Sequence, residues 1–325
     1  MKATVTQRIR AEGAAGRLWA IWQLGKPRLS SLVLVSAALG YILGAKGGFA
    51  WISFAAMLAG ILLVSWGIHA LNQYIERDID AIMERTRERP LPAGTLPPEP
   101  IWWWGWAAAG GGVLVLALGA NPLAAGIGLA VVVIYIAVYT PLKRVTQLNT
   151  LVGAVPGALP PVLGWAAATG KLDQEVLSLF LIMYIWQLPH FMSIAWLYRE
   201  DFRKAGLAMI AVDQTDGWST RRQLPLYTAT LLLVSLHPTL IGMAGQLYFF
   251  GALALGSVFL AFAVAMAFRM TDLSARRVLR VSVLYLPLLL LLLVYDSKTR
   301  PPELSALHVH TDSGIHLHAL NGGRP

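Results

Sequence analysis

Nine stretches of this chain are apolar over close to the length that a hydrocarbon core demands, about 20 residues of helix. They fall at 29–46, 51–71, 101–119, 122–141, 148–169, 176–197, 224–243, 247–268 and 278–295. In lipid every backbone N–H and C=O must find a partner inside the protein, so segments of this kind fold as helices. The expected fold class is therefore all-α: a polytopic membrane protein with nine transmembrane helices around a central cavity. Composition agrees, because 56% of residues are hydrophobic and only 13% are charged, about half the charged share of a soluble chain. The ninth stretch is short of clean apolar length, so Arg280 is expected to snorkel. With no cysteine, disulfides, thiolate metal sites and cysteine nucleophiles are excluded.

The basic residues orient the bundle. With the N-terminus in the cytoplasm, the N-terminal arm and the even-numbered loops hold 21 of the 26 Lys and Arg residues. The far side holds Lys46, Lys171, Lys298, Arg300 and Arg324. This positive-inside bias accounts for the net charge of +9 without a nucleic-acid partner. Residues 1–28 lack a signal peptide's apolar core and cleavage site. Within them Leu18, Trp19, Ile21, Trp22 and Leu24, beside Arg17 and Lys26, read as a short interfacial amphipathic helix. Residues 29–295 form the membrane domain, and 296–325 form a tail on the far side. The tail's His308, His310, His316 and His318 could bind a metal, but their Gly, Ser and Asp surroundings read as disorder. The expected location is the inner membrane of a bacterial cell. A mitochondrial inner membrane is the alternative, since the arm is almost free of acids.

Function concentrates in two long charged loops on the cytoplasmic side, at 72–100 and 198–223. In the first, Asn72, Glu76 and Asp80 recur every four residues, so on a helix they share one face with about 6 Å of rise between neighbours. Oxygen ligands so spaced suit Mg²⁺, a hard cation that takes carboxylates together with substrate phosphates. Arg77, Arg85, Arg87 and Arg89 are interleaved and offer forked donors to phosphate oxygens. The alternative is a solvated helix with local ion pairs, but acids and an amide at the mouth of a membrane helix are costly unless used. The second loop carries Glu200 and Asp201 among Arg199, Arg203 and Lys204, and Lys143 and Arg144 end the fourth span at the same level. These cations serve either as flanking charge or as phosphate contacts. His190 follows Pro189 inside the sixth span, about 16 Å along the axis from Asp201, and a mid-membrane imidazole needs a partner or a task. His69 lies one turn before Asn72, and His237 reads as structural. Gly153 and Gly157 read as a close-packing pair, and the Trp102–Trp106 cluster as an interfacial belt.

The segments NQYIERDID, MERTRERPLP, YTPLKR, WQLPHF and YREDFRKAG resemble the UbiA-type intramembrane prenyltransferases, from about Lys26 to the ninth span. The likeness is strongest to the branch of that family that modifies heme. The resemblance implies Mg²⁺ on Asn72, Glu76 and Asp80, bridging to the diphosphate of farnesyl diphosphate. Most members carry two aspartates four apart in the second loop, where this chain has Tyr198 and Phe202. Asp201 is what remains as a possible ligand there. Lys143 would join the catalytic group, with Arg77, Arg85, Arg89, Arg144, Arg199 and Lys204 around the diphosphate. Heme b would be the acceptor, contacted by His190 and secondarily by His69, with a vinyl group ending as a hydroxyethylfarnesyl substituent. Partners implied are the lipid bilayer and the enzymes that use the product, heme A synthase or terminal oxidase assembly. Two rivals remain open: prenylation of an aromatic or quinone precursor, and a transporter using the acids as an ion site.

Overall fold

The computed structural model describes residues 13–210 and 217–299. Those residues contain no strand and form twelve helices, the sixth of them extended by a π-helical turn and a short α-helical end. They are α1 (Gly13–Leu24), α2 (Pro27–Gly44), α3 (Trp51–Ile75), α4 (Arg77–Ile82), α5 (Pro98–Gly119) and α6 (Pro122–Val133). There follow α7 (Asn149–Thr169), α8 (Gln174–Leu197), α9 (Arg199–Lys204), α10 (Trp218–Leu240), α11 (Gln246–Phe268) and α12 (Asp272–Thr299). A π-helical turn at Ile134–Tyr139 carries α6 on to Leu142. Nine of these described helices are long, and eight are long and apolar enough to cross a membrane. The chain is an integral membrane protein. The exception is α10, whose apolar run is diluted by Arg221, Arg222 and Gln223 at its start and by His237 and two prolines inside it.

Helix ends follow local chemistry. Pro27, Pro98 and Pro122 open α2, α5 and α6, where their missing N–H costs nothing. Asn121 caps α6 by accepting from the Ala124 N–H at 2.9 Å, and its Nδ2 donates to the Ala166 carbonyl of α7 at 2.8 Å. Gly170 ends α7 in the left-handed conformation. The ninth long helix begins at Asp272, earlier than the apolar run alone suggests. Arg276, Arg277 and Arg280 therefore ride its first turns as exposed side chains. On α1, Leu18, Trp19, Ile21 and Trp22 are exposed while Ala20 and Leu24 are buried, the two-faced pattern of an interfacial helix. Trp103 and Trp104 are likewise exposed on the first turns of α5. The histidine-containing tail falls outside the described residues.

The helices pack in a ring, with sequential neighbours in contact and α12 touching α2. The tightest seams are α3 on α5 and α2 on α7. Lipid offers no hydrophobic drive between helices, so close backbone approach must supply the packing. Glycine permits it: a β-carbon on Gly40 would overlap the Pro161 carbonyl, and one on Gly164 the Ala37 carbonyl. Gly60, Gly67, Gly105 and Gly112 do the same between α3 and α5. Short helices α4 and α9 each follow a long one, α3 and α8, so the two charged loops start alike.

Gly164→Ala should therefore destabilise the bundle by about 1–3 kcal/mol through overpacking, although alanine is the better helix former. Gly110→Ala, where a β-carbon meets nothing, should be neutral or stabilising. Thermal unfolding of the two variants in detergent checks the contrast.

Candidate functional site

Helical bonding does not stop where the apolar run stops. The Glu76 N–H donates to the Asn72 carbonyl at 2.9 Å and the Asp80 N–H to the Glu76 carbonyl at 2.8 Å. This carries the register through the bend at Glu76 into α4. Asn72, Glu76 and Asp80 consequently keep one face, and all three line a single cavity of about 400 Å³. They are only 1%, 8% and 1% exposed, so three hard oxygen donors stand out of water at the cavity mouth.

Each donor meets a cation. Lys143, just past the end of α6, donates to Glu76 Oε1 at 2.7 Å. Arg89 donates to Asp80 Oδ2 at 2.6 Å. It reaches that position because the chain after α4 folds back through turns, pinned by the Thr86 hydroxyl on the Asp80 carbonyl at 2.8 Å. Lys26, between α1 and α2, donates to Asn72 Oδ1 at 3.1 Å. Among the described residues the Asn72 Nδ2 is buried without a partner, a spare donor at the cavity mouth. Burial, then the nearby Arg89 and Lys143, push the Lys26 ammonium down to about 7. Burial also presses on Lys143, but Tyr139 and Glu76 outweigh it and hold its pKa above the usual lysine range.

Below the mouth the walls turn apolar, with Ile61, Val64, Ile68, Leu163, Phe191 and Ile194 among them. Tyr135 and Tyr139 line the same space from the π-turn, their rings edge to face at 5.2 Å. The Thr140 hydroxyl satisfies the Tyr135 carbonyl at 2.8 Å. π-turns recur at functional sites because they re-aim side chains within a helix. The second charged loop covers one side: the Ala208 N–H donates to the Lys143 carbonyl at 2.9 Å, and Phe202, Leu207 and Met209 line the cavity.

The other candidates scatter. Arg85 lines the cavity, and its backbone N–H reaches Asp201 Oδ2 at 3.4 Å. Asp201 itself is outside the lining and ties the two loops together. Arg77 lies over the Tyr74 ring at 4.7 Å and donates to the Tyr74 carbonyl. Arg199 pairs with Asp272 at 3.0 Å and with the Trp196 carbonyl. Arg144 and Lys204 are exposed and outside the lining.

His69 lines the cavity, its Nδ1 at 3.1 Å from the Gly25 carbonyl. A carbonyl only accepts, so Nδ1 carries the proton and Nε2 keeps a lone pair. His190 is outside the lining: it stacks on Trp186 and bonds Ser282 of α12 at 2.8 Å through Nδ1. Sequence reasoning missed Lys26, Tyr135, Tyr139 and Gln187 among the lining residues. A lysine directly before the first proline-started span was the available signal for Lys26.

Among the described residues no three His, Cys, Asp or Glu side chains converge into a ready-made metal cage. Two carboxylates and an amide suffice for Mg²⁺, which ordinarily takes one or two carboxylates and completes its shell with water and phosphate. The donor set fits that ion.

A lipid-embedded helical bundle with a charged mouth over an apolar chamber is thus the class that fold and site define. The UbiA prenyltransferase family matches residues 33–294, and the chain belongs to that family. A protoheme IX farnesyltransferase from Solibacter usitatus is 44% identical to it over 283 residues, covering 84% of this chain and 97% of that protein. A solved structure of digeranylgeranylglyceryl phosphate synthase has a TM-score of 0.74 at 14% identity, over 87% of this chain and 99% of that one. A UbiA homologue from Archaeoglobus fulgidus bound to DMAPP and Mg²⁺ has a TM-score of 0.60 at 15% identity, over 84% of this chain and 98% of that one. At these identities the two structures speak for the fold alone.

Arg89→Ala leaves the Asp80 carboxylate buried without its partner, an expected cost of about 3–5 kcal/mol. Asp80→Asn added to it should recover most of the loss. Thermal unfolding of the single and double variants in metal-free detergent measures the difference.

Proposed function

We propose that the protein transfers the farnesyl group of farnesyl diphosphate to a vinyl group of protoheme IX, giving heme O and diphosphate. The observation that carries this reading is the row of Asn72, Glu76 and Asp80 with Lys143, Arg89 and Lys26 over an apolar cavity. A prenyl diphosphate has the matching polarity, a polyanion at one end and hydrocarbon at the other. The name of the 44% identical relative supports heme as the acceptor, and the ligands of the Archaeoglobus homologue support a prenyl diphosphate with Mg²⁺ as the donor pair.

Asn72, Glu76 and Asp80 would hold Mg²⁺, which when bound supplies positive charge for the departing diphosphate. The chain's own part is to exchange partners. Lys143, Arg89 and Lys26, now on the three oxygen donors, are placed to take phosphate oxygens as charge develops there. Arg85 and the spare Asn72 N–H add donors at the same mouth. The apolar walls then keep bulk water from the allylic cation. No side chain need act as a covalent nucleophile, because the vinyl group supplies the attacking electron pair. For the porphyrin iron, His69 is the nearer imidazole, with its Nε2 lone pair on a ring that lines the cavity. The positive-inside count favours this mouth on the cytoplasmic face, in the inner membrane of a bacterium.

Membranes containing the protein, supplied with heme b, farnesyl diphosphate and Mg²⁺, should yield a heme heavier by a hydroxyethylfarnesyl group. Its absence, together with a prenylated aromatic acid, would give the case to the quinone-precursor reading. Transport without diphosphate release would give it to an ion-coupled carrier. Asp80→Ala should lower turnover about a hundredfold or more, and wild-type rates would refute its place at the diphosphate. His69→Ala should raise the KM for heme several-fold and leave that for farnesyl diphosphate unchanged, with His190→Ala weaker in effect. The reverse order would move the porphyrin to the α8–α12 side.

A further inference from the structure

Farnesylation of a heme vinyl group does not balance as a simple transfer. The product carries a hydroxyl group whose oxygen belongs to neither heme b nor the farnesyl group. Ionisation breaks the allylic C–O bond, and its electron pair leaves with diphosphate. The vinyl π pair then forms the new C–C bond to the farnesyl carbon. A cation remains on the vinyl carbon beside the porphyrin ring. It has two fates: a water oxygen adds to it, or a proton leaves the neighbouring carbon and an alkene forms. A cavity built to keep water from one cation must therefore admit a single water to the next.

Resting on that reading of the reaction, we propose that Gln187 of α8 holds that water. Gln187 lines the cavity and is only 5% exposed. Its Nε2 donates to the Ala154 carbonyl at 3.2 Å and to the Met183 carbonyl at 2.9 Å. Both partners can only accept, so the amide's orientation is fixed and its NH₂ is spoken for. Oε1 accepts no hydrogen bond from the described residues. It sits over Gly157, another lining residue, in the space where a β-carbon would overlap it. An amide oxygen at membrane depth without a partner is costly unless something donates to it. Water is the small donor that the reaction itself requires in this cavity.

The depth is right as well. Lys143 Nζ is 4.5 Å from the centre of the Tyr139 ring, and that ring occupies the place of the missing Gly153 side chain. Gly157 is one helical turn further along α7, about 6 Å. The free oxygen therefore lies about a turn beneath the cations that would take the diphosphate, where the carbon joined to that diphosphate and its vinyl partner must meet. Oε1 accepts one water O–H and turns a lone pair of that water to the cation. As the C–O bond forms, the proton lost from the water passes to the departed diphosphate.

The test is the partition of products. Wild type with heme b, farnesyl diphosphate, Mg²⁺ and oxygen-18 water should give hydroxylated product carrying the label. An unlabelled hydroxyl would overturn the proposal. Gln187→Met should release diphosphate and still join the carbon skeletons, with the ratio of hydroxylated heme to the alkene one water lighter falling about tenfold, the worth of one hydrogen bond. Gln187→Glu, kept protonated by burial with its OH on one of the two carbonyls, keeps an acceptor oxygen and should retain the hydroxylated product. Should Gln187→Met not accumulate, Gly157→Ala serves instead: its β-carbon displaces the flexible amide without removing it, and the same shift towards alkene is expected. An unchanged ratio in the active variants means that Gln187 does not place the water. Failure of wild type to prenylate heme would instead sink the acceptor assignment, so the two failures are told apart.

Discussion

The structure depends on charge neutralised out of water at a membrane rim. Glu76 and Asp80 are nearly inaccessible, yet each holds a cation at 2.7 or 2.6 Å. Burying such pairs costs several kcal/mol of desolvation per ion, and an apolar pair of equal volume is often as stable or better. Stability therefore does not explain them. On the proposed reading a standing set of acids and bases with interchangeable partners does, because a diphosphate and its metal could enter by substitution. The acids would pass to the metal and the bases to the phosphates, with little rearrangement of the backbone.

That exchange needs a scaffold that does not give way. The seams α2–α7 and α3–α5 lock through backbone approach at Gly40, Gly164, Gly60, Gly67, Gly105 and Gly112. Three of the elements so locked, α2, α3 and α7, also line the cavity, so rigid contacts set most of its walls and the two charged loops close its mouth. The π-turn in α6 adds a local adjustment, bringing Tyr135 and Tyr139 to the cavity just before Lys143.

Much of this was legible in the chain. Spans longer than a few turns of apolar residue have one outcome in lipid, and the nine long helices fall close to where composition puts them. Asn72, Glu76 and Asp80 were legible because a four-residue repeat has one geometric consequence on a helix. The cations were harder. Whether an arginine turns to the cavity, as Arg89 does, or away to Tyr74 or Asp272, as Arg77 and Arg199 do, is decided by how loops fold back. Sequence spacing carries no such information. The motif put His190 ahead of His69, yet of the two only His69 lines the cavity, for the same kind of reason: Trp186 and His190 share the face that α12 covers, and only the neighbour reveals it. Lys26 was hidden by looking like the flanking charge that any first span carries.

Polar groups inside the bundle sort by whether their partners are complete. Ser178 has His237, Ser235 has Tyr285, and His190 has Ser282; each pair closes on itself between helices and holds them together. Two of the cavity's polar groups are left open among the described residues, the Asn72 N–H at the mouth and the Gln187 oxygen one level down; the Thr220 and Tyr248 hydroxyls are also buried without a partner, away from the cavity. Open positions are costly at membrane depth, and a ligand in the cavity can complete the two that face it. On the proposed reaction the donor lies where an anion would depart and the acceptor where a hydroxyl would arrive. Their order from rim to interior is thus the order in which the proposed chemistry would need them.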